Sequence, residues 1–295
     1  MANKISDINS VQYYLTPSLC ISSFENKSWF EKAMSVISSC GTLFIYAINR
    51  VLMVIYHTEK EMDRYTQAPM TNVSSRRLIV CLHGLNNNPA QFKRIVDEIV
   101  QKDNSESDIY IPKIVNKGNA KLDKMVSPIL KDIAEWAKTG EEKELVLIGI
   151  SNGGRVARAI EAELINSGQI GKIKHLKFIS IVGACNGSWL VTLAIKLHIS
   201  WILPKNIAKE MATDSERFER LKIEDEQAKK KSAKLKRDYT FIASPHDWQV
   251  PNYDSSLMEM TGVEEVRYSI VPNHGHNSIV DCDFVAESVA AIAVK

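Results

Sequence analysis

The sequence has almost no net charge, since 37 lysine and arginine residues are balanced by 35 aspartate and glutamate residues among 295. A protein that binds nucleic acid over its whole surface is usually far more basic, so this balance argues against that class. The chain also lacks the polarity of a disordered protein, because 45% of its residues are hydrophobic and 24% are charged. These fractions are typical of a packed globular chain.

Cysteine is scarce, and its arrangement excludes two kinds of site. The five cysteines are odd in number, widely spaced and without a CxxC pair, which argues against a disulfide framework and a structural zinc site. A chain of this length can bury enough surface to fold without either. We therefore expect small buried residues in a reducing compartment, and no metal or other cofactor. The five are Cys20, Cys40, Cys81, Cys185 and Cys282.

Residues 1–75 are predicted to form an N-terminal extension. Its polar start has no basic segment followed directly by an apolar one, so we expect no cleaved secretory signal. Two charge-free runs then lie within 33–56, separated by Asn49 and Arg50. Together they are long enough to cross a bilayer as a helix, but an arginine inside a span is costly. We predict a long apolar helix at 33–56 that is buried, lies in a membrane surface or spans the membrane, with burial or surface insertion favoured.

From residue 76 onward, short apolar runs alternate with helical patterns. Strands that are apolar throughout are buried on both faces, and their alternation with helices predicts a mostly parallel sheet flanked by helices. The fold class is therefore α/β, with one domain over 76–295. Strands are predicted at 78–82, 109–115, 144–150, 176–183, 239–244 and 266–271. Helices are predicted at 89–102, 121–138, 153–166 and 277–294.

Residues 186–237 interrupt this alternation between the fourth and fifth of these predicted strands. A connection of this length is too long for a compact sheet and is typical of a lid or an inserted subdomain. It holds an apolar stretch at 189–203 and a basic run at 229–237. The basic run is typical of a solvated helix face, and contact with anionic lipid head groups is the alternative.

The most specific motif is Gly149-Ile150-Ser151-Asn152-Gly153, which fits G-x-S-x-G. It follows a predicted strand and precedes a predicted helix, which is the setting of a nucleophile elbow. Glycines at 149 and 153 are needed because neighbouring side chains would clash in so tight a turn. Backbone strain there would lift the Ser151 hydroxyl clear of the sheet edge.

Acyl transfer builds an oxyanion, and the site must offer hydrogen-bond donors to it. One donor would be the backbone N–H of Asn152, directly after the nucleophile. His83-Gly84-Leu85 ends the first strand predicted after residue 76, and the N–H of Leu85 would be the second donor. We interpret His83 as a loop anchor, with a catalytic role as the less favoured alternative.

A serine hydroxyl needs a base, and the base needs an acid. His276 follows the last predicted strand and directly precedes the closing helix, so it is preferred as the base over His274. Asp247 follows the fifth of the strands predicted from residue 76 and is preferred as the acid over Asp254. The chain order Ser151, Asp247, His276 is that of the α/β-hydrolase triad.

The chain resembles the α/β-hydrolase superfamily over about residues 76–295, and within it the lipase and esterase branch. Two looser similarities support that branch: 183–188 is similar to the G-T-P-x-x-G-S stretch of many lipases, and 213–218 to the P-G-S segment that precedes their acid. The segments that carry the resemblance are LIVCLHGL (78–85), LVLIGISNGG (145–154), FIASPHDWQVP (241–251) and HGHNSIV (274–280).

The resemblance implies a serine hydrolase that cleaves carboxylic esters through an acyl-enzyme, without a cofactor. The apolar stretches 189–203 and 33–56 favour lipid-like acyl esters as substrates. Contact with a membrane surface through 33–56 and the basic run 229–237 is kept open as a further expectation. We expect a cytoplasmic or membrane-associated protein. The alternatives are an acyltransferase that uses the same triad, and a catalytically silent, membrane-associated binding protein on a hydrolase scaffold.

Overall fold

The computed structural model describes residues 12–14, 69–103, 107–200, 203, 207–232, 234–260, 263 and 265–295. The predicted apolar helix at 33–56 lies outside the described residues, as does most of the predicted extension. In the part of the chain that is described, no helix has both the length and the apolar character needed to cross a bilayer.

In the described part of the chain, seven strands form one sheet. They are β1 Gln12–Tyr14, β2 Arg77–Leu82, β3 Ser107–Tyr110, β4 Lys143–Ile150, β5 Ile173–Ile181, β6 Lys236–Ala243 and β7 Glu265–Ile270. The strand order is β1-β7-β6-β5-β4-β2-β3. Strands β2 to β7 run parallel, and β1 pairs antiparallel with β7 at one edge. The predicted mostly parallel α/β sheet is confirmed.

Helices cover both faces of this sheet, because alternate residues of each strand point to opposite faces and nearly all are apolar. The helices are α1 Lys93–Lys102, α2 Leu122–Lys138, α3 Asn152–Asn166, α4 Trp189–Lys196, α5 Ala208–Met211, α6 Glu216–Lys231, α7 Tyr253–Ser256 and α8 Asp283–Val294. Leu78 and Leu145 contribute to the core on one side of the sheet with α2, α3 and α6. Ile79 and Val146 contribute to the core on the other side with α1 and α8.

The register brings the carboxyl ends of the central strands together at one edge. Leu82 of β2 pairs with Gly149 of β4, and Ile150 of β4 pairs with Ile181 of β5. Ile181 in turn pairs with Ile242 of β6. The loops that follow these strands therefore start side by side, which is where open α/β sheets hold their ligands.

The predicted strand at 109–115 is wrong beyond Tyr110. Strand β3 ends there, and a 3₁₀ turn at Val115–Gly118 takes the place of its second half. Pro112 explains the early end, because proline has no N–H to continue the strand ladder. The predicted helices at 89–102 and 277–294 also each begin with a separate 3₁₀ turn, Pro89–Phe92 and Ser278–Asp281.

The long connection between β5 and β6 folds into α4, α5 and α6. Helix α4 ends at Lys196, so the apolar stretch 189–203 is not one helix. Ser215 caps α6 by accepting a hydrogen bond from the N–H of Phe218, and α6 packs on α3. In the basic run, Lys229 pairs with Glu226 over 2.6 Å, and residues 236 and 237 belong to β6. That this connection acts as a lid stays a prediction.

Candidate active site

The turn between β4 and α3 has the backbone geometry of a nucleophile elbow. Ser151 has φ 55° and ψ −122°, a combination that costs a side-chain-bearing residue roughly 1–3 kcal/mol. Two backbone hydrogen bonds hold it there: Ser151 N–H donates to Ile181 O over 3.0 Å, and Ala184 N–H donates to Ser151 O over 2.9 Å. Strand β5 and the loop after it therefore hold the strained backbone of Ser151 in place.

Glycine is required at two positions of this turn by close backbone contacts. A Cβ built on Gly153 would lie 1.8 Å from the carbonyl oxygen of Leu82, so α3 passes directly against β2. A Cβ on Gly149 would lie 2.5 Å from Gly153 O. Both distances are far below van der Waals contact, so alanine at either position would displace the elbow.

The structure brings Ser151, His276 and Asp247 into one hydrogen-bonded chain. His276 Nε2 lies 2.7 Å from Ser151 Oγ, and His276 Nδ1 lies 2.8 Å from each carboxylate oxygen of Asp247. All three side chains are buried. Asp247 Oδ1 also accepts the N–H groups of Gln249 at 2.8 Å and Val250 at 3.0 Å, which fixes the carboxylate. The arrangement can accept the serine proton on Nε2 while the carboxylate holds the proton on Nδ1.

The two rival residues from the sequence lie outside this chain. The imidazole that contacts Ser151 and Asp247 is that of His276, whereas His274 contributes its carbonyl oxygen to a hydrogen bond from the Ser244 hydroxyl. Asp254 is exposed, and its Oδ1 accepts a hydrogen bond from Asn252 Nδ2 over 2.9 Å.

The loop after β2 lies against the elbow at the position expected for an oxyanion-binding loop. A Cβ built on Gly84 would lie 3.1 Å from Ser151 Cβ. Among the described residues, the backbone N–H groups of Leu85 and Asn152 make no hydrogen bond to a protein acceptor. Asn86 N–H donates to Lys117 O over 2.7 Å, which ties this loop to the 3₁₀ turn after β3.

His83 is buried and holds backbone groups with both ring nitrogens. Nδ1 lies 2.9 Å from Gly84 O, and Nε2 accepts the N–H of Ile114 at 3.3 Å. This pattern requires the proton on Nδ1. Burial lowers the pKa of His83, so the ring is neutral at pH 7. These contacts fit the interpretation of His83 as a loop anchor.

Two further side chains fix this site, and no motif in the sequence marked them. Gln91 Oε1 accepts the N–H of Gly84 over 2.9 Å. Arg155 donates from Nε to Asn152 Oδ1 over 3.0 Å, and Asn152 Nδ2 donates to Gly118 O over 3.2 Å. Arg155 is fully buried, which lowers the pKa of its guanidinium to about 10. The sequence offers one signal for Arg155: it is an arginine one turn after Asn152 in a helix whose other residues are mostly small or apolar.

No group of three or more histidine, cysteine, aspartate or glutamate side chains in the described part of the chain is arranged to hold a metal ion. Three cysteines lie in the described part of the chain. Cys81 and Cys185 are buried, and Cys282 is partly exposed. Burial raises the pKa of the Cys185 thiol to about 11, so this thiol is protonated at neutral pH.

Comparison with protein families gives a match over residues 72–244 to the family described as "Putative serine esterase (DUF676)". The match covers more than half of the chain. The chain belongs to this serine esterase family. The matched region of the esterase chain runs from the strand before the Leu85 loop through the elbow to the end of β6, and it stops before Asp247 and His276.

Comparison with solved structures gives matches at low sequence identity. A structure of the metagenome-derived lipolytic enzymes LipS and LipT shares 13% identity over 77% of this chain and 97% of its own, with a TM-score of 0.48. A lipase-esterase related protein from Clostridium acetobutylicum shares 15% over 78% and 97%, with a TM-score of 0.44. Est1E from Butyrivibrio proteoclasticus shares 15% over 77% and 90%, with a TM-score of 0.46. No curated protein matches the esterase chain.

Proposed function

We propose that this member of the serine esterase family hydrolyses carboxylic esters through an acyl-enzyme, with Ser151 as nucleophile, His276 as general base and acid, and Asp247 as the orienting carboxylate. The observation that carries the proposal is the unbroken chain of hydrogen bonds from Ser151 Oγ to His276 at 2.7 Å and from His276 to Asp247 at 2.8 Å. These hydrogen bonds end on Ser151, the one serine among the described residues that combines a strained elbow with a helix N-terminus behind it.

In the first half of the reaction, Ser151 Oγ attacks the acyl carbon while its proton passes to His276 Nε2. The carbonyl oxygen becomes an oxyanion, which accepts the N–H groups of Leu85 and Asn152. The positive end of α3 adds to the stabilisation of this charge. When the tetrahedral intermediate collapses, the bond to the alcohol oxygen breaks and His276 Nε2 returns the proton to that oxygen.

In the second half, water attacks the acyl-enzyme and loses a proton to His276 Nε2. The new tetrahedral intermediate forms in the same oxyanion site, and Ser151 leaves with the proton restored by His276. Asp247 stabilises the imidazolium in both halves without taking its proton. The net change is one ester and one water converted into one acid and one alcohol, so the protein needs no other reactant.

We further propose that the acyl group is apolar. Leu85, whose N–H would bind the oxyanion, packs against an apolar cluster built from the connection between β5 and β6 and from the loop after Asp247. An acyl chain that leaves the oxyanion site along Leu85 would contact this side chain, which is half-buried against the cluster, and would be partly removed from water there. Members of the cluster are Ala184, Leu190, Val191, Ala194, Met211 and Val250.

A fluorophosphonate probe tests the nucleophile, because it reacts only with an activated serine. We expect the full-length protein to be labelled at Ser151 and to hydrolyse p-nitrophenyl esters. Ser151→Ala should lose both labelling and hydrolysis. The matched control is Ser167→Ala, a change at an exposed serine at the end of α3. Equal labelling of Ser151→Ala and the parent protein would remove Ser151 from this role.

An ester series with acyl chains of increasing length tests the apolar acyl site. We expect kcat/KM to rise from the acetyl to the octanoyl ester, because each buried methylene contributes about 0.8 kcal/mol. A maximum at the acetyl ester would contradict the apolar acyl site while leaving the ester hydrolysis itself intact.

A further inference from the structure

Arg155 is fully buried one helical turn after Ser151, yet its guanidinium has few partners. Nε donates to Asn152 Oδ1 over 3.0 Å, and neither Nη1 nor Nη2 makes a hydrogen bond to a described residue. Nη1 lies 3.6 Å from Glu210 Oε2, which is an ion pair without a hydrogen bond. Burying a charge with so few partners is unfavourable, and an apolar side chain of similar size often stabilises a fold as well. Packing alone therefore does not account for an arginine here.

The hydrogen bond from Arg155 decides which way the carboxamide of Asn152 is turned. A carboxamide accepts through its oxygen and donates through its nitrogen, whereas the Nε–H of an arginine can only donate. Arg155 therefore holds Oδ1 on its own side, and Nδ2 faces the carbonyl oxygen of Gly118, to which it donates over 3.2 Å. Without this donor the carboxamide would be free to turn over and place its oxygen against that carbonyl. Arg155 thus selects the orientation in which Asn152 binds Gly118.

Gly118 ends a 3₁₀ turn whose backbone is strained. Three successive residues of the turn have left-handed backbone angles: Asn116 with φ 51°, Lys117 with φ 53° and Gly118 with φ 82°. Residues that carry a side chain adopt this region at an energetic cost, and they stay there only where surrounding contacts hold them. The hydrogen bond from Asn152 is one such contact, and it reaches the turn from α3.

The same turn supports the loop that carries the N–H of Leu85. A Cβ built on Gly118 would lie 3.3 Å from Gly84 O and 3.3 Å from Leu85 Cα, so the turn packs directly against that peptide unit. Lys117 O accepts the N–H of Asn86 over 2.7 Å. The turn therefore contacts the loop both before and after the N–H of Leu85, and its position sets the position of that N–H.

We propose that Arg155 is a positioning residue for the oxyanion site. Through the carboxamide of Asn152 it holds the turn at 115–118, and with it the N–H of Leu85, at a fixed distance from the N–H of Asn152. The inference rests on the proposed ester hydrolysis, in which these two N–H groups bind one oxyanion. Two donors that share one oxygen must be correctly spaced, because hydrogen bonds weaken steeply when their distance or angle departs from the optimum.

Two uncharged substitutions separate the hydrogen bond of Arg155 from its charge. Arg155→Gln places a donor, Nε2, at the same point along the side chain as the arginine Nε, and Arg155→Met places a methyl group there. For a p-nitrophenyl ester we expect kcat to fall about tenfold in Arg155→Met, with KM within about twofold of the parent, because the donors are misplaced rather than lost. Arg155→Gln should keep most of kcat. An equal loss in both variants would assign the effect to the charge, and full activity of Arg155→Met would show that Arg155 positions nothing; either result overturns the proposal.

A double-mutant cycle tests whether Arg155 acts through Asn152. Asn152→Ala keeps the backbone N–H and removes the carboxamide, so it should lower kcat about as much as Arg155→Met. Adding Arg155→Met to Asn152→Ala should then change kcat by less than about twofold, because the contact that links them is already gone. Losses that multiply would overturn the proposal. The matched control is Arg220→Met at an exposed arginine on α6, which should keep the kcat and KM of the parent.

Amide hydrogen exchange separates this inference from the proposed hydrolysis, because it needs no substrate. The N–H groups of Asn86 and Asn119 donate to Lys117 O and Asn116 O, within the linked loop and turn. In the full-length protein we expect them to exchange about 2- to 10-fold faster in Arg155→Met than in the parent or Arg155→Gln, the effect of one lost hydrogen bond on local opening. Exchange in α8 should not change. Faster exchange in Arg155→Met, with a parent that cleaves no ester, would sink the hydrolysis and keep the link from Arg155 to the turn. Ester cleavage by the parent, with equal exchange in all three proteins, would do the reverse.

Discussion

His83 Nδ1 donates a hydrogen bond to the carbonyl oxygen of Gly84 over 2.9 Å, and that oxygen belongs to the same peptide unit as the N–H of Leu85. A peptide unit is planar, so a bond that fixes its C=O also fixes the direction of its N–H. His83 itself is held by the N–H of Ile114 on its other nitrogen. The buried imidazole therefore sets the direction of one of the two proposed oxyanion donors.

The first prediction concerns His83. His83→Phe keeps an aromatic ring of similar size but leaves Gly84 O and Ile114 N–H without their partner. We expect kcat to fall about tenfold, part of the loss measured when a whole oxyanion donor is removed, with little change in KM. His83→Gln offers a donor and an acceptor and should restore most of kcat. Both are measured with a p-nitrophenyl ester at a temperature at which circular dichroism shows a folded protein.

The pH dependence of kcat/KM separates this positioning role from proton transfer by His83. Because Gln does not titrate, the His83→Gln variant should keep the profile of the parent. A His83→Gln variant as inactive as Ser151→Ala would show that His83 transfers a proton, and full activity of His83→Phe would show that it positions nothing.

The second prediction concerns Asp247 and follows from its contacts. The N–H groups of Gln249 and Val250 point at Oδ1, so an asparagine here would keep its oxygen at that position. Its NH₂ group would then face His276 Nδ1, which would have to accept, and the ring proton would move to Nε2. A protonated Nε2 cannot take the proton of Ser151, so we expect kcat to fall about 10⁴-fold in Asp247→Asn.

Asp254→Asn is the matched control for this change. Asp254 is exposed and binds Asn252, so its substitution should leave kcat within about twofold, the range of ordinary surface changes. Unfolding curves should show that both variants are folded. A crippled Asp254→Asn beside an active Asp247→Asn would reverse the assignment of the acid.

The elbow could be predicted because its causes are local. Gly149 and Gly153 report a tight turn between an apolar strand and a helix, and each of these signals lies within a few residues of Ser151. The parallel sheet then brings Asp247 and His276 to the same edge, because each lies in the loop that follows a strand. Strand ends and chain order were therefore enough to select the residues that the structure joins.

The supporting contacts could not be predicted, because they are made by side chains that belong to no motif and that tertiary packing brings into place. Arg155 contacts Asn152 within its own helix, yet its surroundings come from other elements: α2 packs on α3, and Glu210 of α5 lies 3.6 Å from Arg155 Nη1. Strand β1 is three residues long, too short for alternation to show, and its partner β7 is more than 250 residues away. Pro112, which ends β3, is visible in the sequence, but the apolar residues on both sides of it favour a longer strand.

A buried ionisable cluster joins α3 to β6 and α6, away from the proposed triad. The carboxylate of Glu161 accepts a hydrogen bond from the Tyr239 hydroxyl and lies 3.8 Å from Arg237 Nη1. Asp225, which is paired with Arg158, lies nearby. Burial raises the pKa of Glu161 from its ordinary value to about 7, and the two arginines and the tyrosine oppose this shift only in part.

The third prediction is that Glu161 makes the folded protein less stable as pH rises. Between its unfolded pKa near 4.5 and its folded pKa of about 7, the folded state binds more protons than the unfolded state, so the free energy of unfolding falls with pH. The loss is complete above pH 7 and is on the order of 3 kcal/mol, at 1.36 kcal/mol for each unit. Glu161→Gln is neutral at every pH and can still accept from Tyr239. We therefore expect its stability relative to the parent to rise between pH 5 and pH 8 in urea unfolding.

Glu163→Gln is the matched control, because Glu163 is an exposed glutamate on the same helix. It should follow the parent protein over the whole range, so that any general effect of removing one negative charge from α3 appears in both variants. Other carboxylates, Asp225 among them, also change the slope of stability against pH, but they do so equally in all three proteins and cancel in the difference. A difference between Glu161→Gln and the parent that stays constant from pH 5 to pH 8 would show that Glu161 ionises normally. The arginines and the tyrosine would then outweigh its burial.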